Sequence, residues 1–178
     1  MAILKIARMG HPVLLTKAQP VADVAAPEIR RLLEDMAETL EDAGGVGLAA
    51  PQVFCAKRLF IYHVPASRAE GGQAVPLTAV FNPMVTSLDD EKVLGWEGCL
   101  SIPGLRAAVP RFRRIRLTGL DGAGAPIDAE LSDFEARVVQ HEADHLDGVM
   151  YPMRMEDFRY FGFNEEADRF PMPLPEEL

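Results

Sequence analysis

Apolar residues recur at helical spacing between Pro27 and Gly44, at Ile29, Leu32, Leu33, Met36, Leu40 and Ala43. A proline near the start and a glycine just past the end are the usual punctuation of a helix, so this stretch is predicted to be the first helix, with its apolar stripe facing a core. From Arg58 to Val64 the run Leu59-Phe60-Ile61-Tyr62 predicts a strand, followed by a polar loop from Ala66 to Gln73 and a second strand over Leu77 to Phe81. Further on, Arg114 to Leu120 alternates polar and apolar, Asp121 to Gly124 reads as a turn, and Ile127 to Leu131 returns as the second arm of an antiparallel hairpin. Ser132 stands three residues before Glu135, the spacing of a capping box, and Gly148 suits a left-handed stop. A second helix is therefore expected over residues 133 to 147. The segment from Pro171 to Pro175 reads as a loosely held tail.

With 178 residues and 48% hydrophobic content, the chain suits one catalytic domain spanning 1–178, with residues 151–178 as a partly extended tail. A net charge of −9 speaks against a direct nucleic-acid function. Only two cysteines, Cys55 and Cys99, are present, so no disulfide framework is available and a reducing compartment is expected. The segment Met1 to Arg8 lacks the apolar core of a signal peptide, and no apolar run is long enough to span a bilayer. These features predict a bacterial cytoplasmic protein with no membrane partner.

The chemistry concentrates in the second helix. His141 and His145 stand at i and i+4, one turn apart on a single face, so both imidazoles can reach one metal ion. Glu142 follows the first histidine, as in the His-Glu-x-x-His pattern whose carboxylate takes a proton from the water at the metal. Two ligands leave a tetrahedral site incomplete. The extended protease pattern requires a third histidine at position 151, which is Tyr151 here; Glu165 or Glu166 could serve in another protease class; and Cys99, in Glu97-Gly98-Cys99-Leu100-Ser101, gives a Cys-His-His set with one open position. Read alone, a cysteine such as Cys99 is more often buried filler. His11 and His63 have no such partners and read as structural.

Three segments together resemble the peptide deformylase family: Gly45-Val46-Gly47-Leu48-Ala49-Ala50-Pro51-Gln52, then Glu97 to Ser101, then Gln140-His141-Glu142-Ala143-Asp144-His145. With Gly10-His11-Pro12 in the N-terminal arm, the likeness covers most of residues 3 to 150. It implies that Cys99, His141 and His145 bind one divalent metal, Fe2+ physiologically with Zn2+, Ni2+ or Co2+ as replacements, while donor chemistry alone selects none of them. Glu142 would handle the proton, and the Gln52 side-chain amide and Leu100 backbone N–H would hold the formyl oxygen as it becomes an oxyanion. The implied reaction hydrolyses the formyl group of N-formylmethionyl peptides or nascent chains, releasing formate.

The implied fold is α+β, with antiparallel or mixed sheets packed around a central helix carrying the His-Glu-x-x-His motif and an additional N-terminal helix. Gly45 and Gly47 allow close backbone approach, so a peptide strand can pair along them, and Val46 and Val138 with Leu100 suit a methionine pocket, although they serve equally as core. Glu97 or Asp144 is expected to orient the histidines. Some relatives dock on the ribosome through a basic C-terminal extension; here acidic residues outnumber Arg154, Arg159 and Arg169 beyond Tyr151, so any transient ribosome contact is expected on another surface. Two rivals are a binding protein with a structural metal, disfavoured by the open ligand set, and a peptidase cutting internal bonds, which needs a longer cleft.

Overall fold

The structure, a computed structural model, describes residues 2–174. Met1, where the leader reading begins, and residues 175–178, including the last proline of the predicted tail, lie outside the described residues. Eight strands and three α-helices follow in chain order: α1 (Pro27–Ala43), β1 (Gly47–Ala49), β2 (Leu59–Val64), β3 (Val75–Ser87), β4 (Lys92–Cys99), β5 (Ile102–Phe112), β6 (Arg114–Leu120), β7 (Pro126–Ser132), α2 (Asp133–Leu146), β8 (Phe161–Phe163) and α3 (Asn164–Arg169). Five strands form one sheet in the order β1-β2-β3-β6-β7 and three form another, β4-β5-β8. Every ladder is antiparallel; the one parallel pairing among the described residues is an isolated bridge between Gln19 and Lys57. The fold is α+β, with antiparallel rather than mixed sheets.

The larger sheet is covered on both faces. Phe60 and Tyr62 of β2 pack with Ala136, Val139 and Leu146 of α2, while Leu59 and Ile61 pack with Ile29, Met36 and Leu40 of α1. Burial on both sides explains why β2 reads as a continuous apolar run instead of an alternating one. Helix α1 ends where its sequence predicts, with Gly44 left-handed at φ 65°. The smaller sheet packs Ile102, Ala107 and Val109 against Ala7, Leu14, Met150 and Tyr151.

Two expectations are corrected. The capping box does not form: the Ser132 hydroxyl donates to Glu70 at 3.0 Å, Glu135 accepts from the Tyr62 hydroxyl at 2.9 Å, and Ser132 makes no side-chain cap. Strand β7 instead runs straight into α2 through Asp133, left-handed at φ 51°, whose N–H still donates to the Arg113 carbonyl. Beyond α2 the buried Tyr151 packs against the small sheet, β8 extends that sheet and α3 follows it, while residues 171–174 lack regular structure. Second, β3 is far longer than Leu77 to Phe81, and β4 and β5 stand where no element was expected. No helix among the described residues is long and apolar enough to cross a membrane.

Candidate metal centre

Helix α2 carries His141 and His145 on one turn, and the β4–β5 hairpin brings Cys99 to them. Their ligand atoms lie within 4.8 Å of one another, with Cys99 Sγ 3.3 Å from His145 Nε2. Cys99 closes β4 where the register slips: Gly98 pairs with Arg106, but Cys99 pairs with Ile102. That bulge, containing Gly104 at φ 79°, re-aims the chain at the point where the thiol must face the helix. Neither Glu165 nor Glu166 joins the group; they lie on α3.

Glu97 is held from three sides. Its carboxylate accepts from His141 Nδ1 at 2.8 Å, from Arg111 at 2.9 and 3.0 Å, and from Arg137 at 2.8 Å. These bonds fix the His141 ring so that Nε2 is left for the Cys99–His145 side. Asp144, the other residue expected to orient a histidine, instead accepts from Arg111 at 2.5 Å and Arg154 at 2.7 and 3.1 Å. The His145 Nδ1 has no hydrogen-bond partner among the described residues. His11 caps the Val13 N–H at 3.2 Å and His63 contacts the Gly45 carbonyl at 3.0 Å, both structural positions.

The charges are mutually adjusted. Burial opposes ionisation of Cys99, but the charges of His145 and His141 and their hydrogen bonds outweigh it and hold the thiol well below its ordinary range. Glu97 likewise overcomes burial through His141 and Arg111 and stays well below the usual carboxylate range. Burial would depress His141, yet its bonds to Cys99 and Glu97 raise it well above an ordinary histidine. Glu142 is different: burial pushes its carboxyl up to about 7, with Cys99 and Glu97 adding to the rise and the two histidines opposing it. Its Oε2 is buried without a hydrogen-bond partner. An orphaned carboxylate oxygen next to a sulfur–nitrogen–nitrogen donor set fits a metal ion with a water beside it.

The site opens into a cleft of about 470 Å³. Gln52, Leu100, Gly45, Val46, Gly47 and Val138 all line it. The Gln52 Oε1 accepts from the Ala49 N–H at 2.8 Å, which turns Nε2 toward Cys99 Sγ at 3.4 Å and Ser101 Oγ at 3.1 Å. Leu100 sits in the turn between β4 and β5, outside the ladder. A Cβ on Gly45 would meet Leu100 and Leu40, and one on Gly47 would collide with the Glu142 carboxylate. Trp96, expected at the mouth because it directly precedes Glu97, lines the cleft, as do Phe134, Arg68 and Arg137, which were not singled out from sequence. Arg137 had one legible signal: it precedes His141 by four residues and so shares its helix face.

A half-buried cysteine and two buried histidines beside an unsatisfied carboxylate, at the end of an open cleft, define a metal-dependent hydrolase. The family model for polypeptide deformylase matches residues 3–160. Peptide deformylase 1 of Nitrosomonas europaea is 46% identical over 164 residues, covering 92% of this chain and 93% of that protein, and peptide deformylase 1 of Bordetella pertussis is 50% identical over 161 residues, covering 90% and 92%. Among solved structures, a class I type b peptide deformylase from Acinetobacter baumannii bound to Met-Ala-Ser superposes with a TM-score of 0.80 at 32% identity, over 86% of this chain and 99% of that one. The Thermus thermophilus peptide deformylase gives 0.76 at 44% identity, over 86% of each. The chain belongs to the polypeptide deformylase family, metal-dependent enzymes that remove the N-formyl group from newly made proteins.

Proposed function

We propose that Cys99, His141 and His145 hold the metal of this deformylase and that Glu142, Gln52 and Leu100 carry the chemistry beside it. The observation that carries this reading is the partnerless Glu142 Oε2, buried next to the three ligand atoms. When bound, the ion supplies Lewis acidity, making water acidic near neutral pH and polarising the formyl oxygen. Glu142 Oε2 accepts the proton of the attacking water and passes it to the nitrogen of the leaving amine, so formate and a free N-terminus result. Gln52 Nε2, its amide fixed through Ala49, and the Leu100 N–H donate to the formyl oxygen as it gains charge; two such donors in a dry site contribute on the order of a few kcal/mol each. Gly45, Val46 and Gly47 offer their backbone to the peptide, and Val138 with Val46 and Leu100 receives the methionine side chain.

We assign Fe2+ as the physiological ion, with Zn2+, Ni2+ or Co2+ able to occupy the same soft donor set. Residues 1–178 act as one catalytic domain in a bacterial cytoplasm, and the substrate is a formylmethionyl chain, as the Met-Ala-Ser complex of the Acinetobacter relative suggests. Any transient ribosome contact uses a surface other than the acidic C-terminal segment, so deleting residues 170–178 should leave co-sedimentation with ribosomes unchanged; loss of it would refute this.

The test of the activity is to incubate the metal-loaded protein with formyl-Met-Ala-Ser, acetyl-Met-Ala-Ser and a longer unformylated peptide and follow amine release. Turnover of the formyl peptide alone is expected. Cleavage inside the longer peptide would point to a peptidase, and no turnover to a silent binding protein.

A further inference from the structure

Arg137 is an unusual arginine. It is 9% exposed, yet it lines the cleft beside Phe134 and Val138, one turn before His141. Its Nη1 donates to Glu97 Oε1 at 2.8 Å, to the Val109 carbonyl at 2.7 Å and to the Gly95 carbonyl at 3.3 Å, and Nη2 donates to the Val93 carbonyl at 2.5 Å. A guanidinium has five N–H donors. The Nε–H makes no hydrogen bond with any described residue and, unlike the Arg106 Nε, is not cut off from solvent, so a free donor of the cation stays open at the wall of the cleft.

Gly95 makes room for this arrangement. A Cβ there would stand 2.8 Å from the Arg137 Cζ and Nη2 and 2.9 Å from Nε, so any larger residue at 95 must push the guanidinium off its seat. The pair works as a unit: a missing side chain on β4 and a cation from α2 that fills the gap. A donor of a charged group that a bound side chain cuts off from water is costly unless an acceptor meets it, and the cleft is where a ligand atom can.

We propose that Arg137 is a specificity-determining residue, whose guanidinium edge forms the polar end of the first side-chain pocket and donates a hydrogen bond to the methionine thioether of the substrate. This rests on the reading above that the methionine side chain enters beside Val138. A thioether sulfur is a weak acceptor, and norleucine places a methylene at the same point with nearly the same shape. A purely apolar pocket scarcely separates the two, whereas a pocket with a waiting donor penalises the analogue that leaves it unpaired.

The experiment compares kcat/KM for formyl-Met-Ala-Ser and formyl-norleucyl-Ala-Ser. The wild type should favour methionine by about three- to tenfold, the size of a weak charge-assisted hydrogen bond. Arg137→Met and Gly95→Ala, the one removing the cation and the other displacing it, should each bring the ratio to within about twofold of unity. Both variants also disturb Glu97, which keeps its two bonds from Arg111, and any general loss of turnover cancels in the ratio. A wild-type ratio near unity, which needs no variant at all, or a ratio preserved in both variants overturns the proposal. Val138→Phe separates the two readings. If it blocks turnover of formyl-Met while Arg137→Met leaves the ratio unmoved, the pocket stands and the part given to Arg137 is wrong; if it changes nothing, the side chain does not enter here and both fall.

Discussion

At position 47 a side chain is excluded by chemistry. The space a Cβ would take is filled by the Glu142 carboxylate, so Gly47→Ala must displace the proposed proton acceptor while leaving the three ligand atoms in place. We expect turnover to fall by about a hundredfold or more, the scale of general acid–base catalysis, with metal content unchanged by elemental analysis. Glu142 also carries a pH signature in the metal-free protein. Its folded pKa of about 7 lies above the ordinary 4.5, so its protonated form stabilises the fold. That contribution is complete below about pH 4.5 and is lost as pH rises through about 7, a difference of about 3 kcal/mol. Metal-free Glu142→Gln, which stays neutral, should therefore gain on the wild type between pH 4.5 and 8 in urea denaturation; a constant difference would contradict this. Glu97→Gln, which weakens the bond holding His141, should lower metal affinity by about ten- to a hundredfold in a chelator competition. At this scale the histidines and Glu142 were legible because a period of 3.6 residues places them; Cys99 was one of several third ligands until the resemblance chose it, and Gln52 came only through resemblance, since nothing local ties either to α2. Arg111 was illegible, and Arg137 was betrayed only by its place one turn before His141, because an arginine on an amphipathic element reads as surface.

Among the elements, α2 shows where pattern and geometry part. Its span was legible from Ser132 to Gly148, but the cap was not, because Tyr62 and Glu70 engage the two side chains that sequence spacing had paired. A true N-cap serine is worth about 1 kcal/mol. Ser132→Ala should instead shift stability by no more than about 0.5 kcal/mol, as for a surface contact; a full 1 kcal/mol loss in chemical denaturation would restore the capping box. Strands β4 and β5 escaped notice because Gly95, Gly98, Pro103, Gly104 and Pro110 interrupt any alternation. Those interruptions make the site: Gly95 seats Arg137, and the bulge around Gly104 swings Cys99 to the helix. Functional demands on a strand erased the pattern by which a strand is recognised.

On the scale of the whole molecule, the ligands come from two sheets' worth of structure: α2 rests on the larger sheet, and Cys99 ends a strand of the smaller. A bound ion ties the two together and binds only the folded arrangement, so stripping the metal should lower the melting temperature and re-adding it should restore it in a concentration-dependent way. Helices α1 and α2, strand β2 and the β6–β7 hairpin could be read from periodicity and turn residues, while the α+β class followed from the family resemblance. The separation into two sheets could not, because it depends on long-range pairing, such as β8 with β5, that no local window contains.

The central claim is that one carboxylate moves the proton at a Cys-His-His metal site. It is tested most directly by loading wild type and Glu142→Gln with the same metal and measuring metal content and formate release from formyl-Met-Ala-Ser side by side. We predict equal metal content in both and formate release from the wild type alone; full activity in Glu142→Gln with its metal bound would contradict the account.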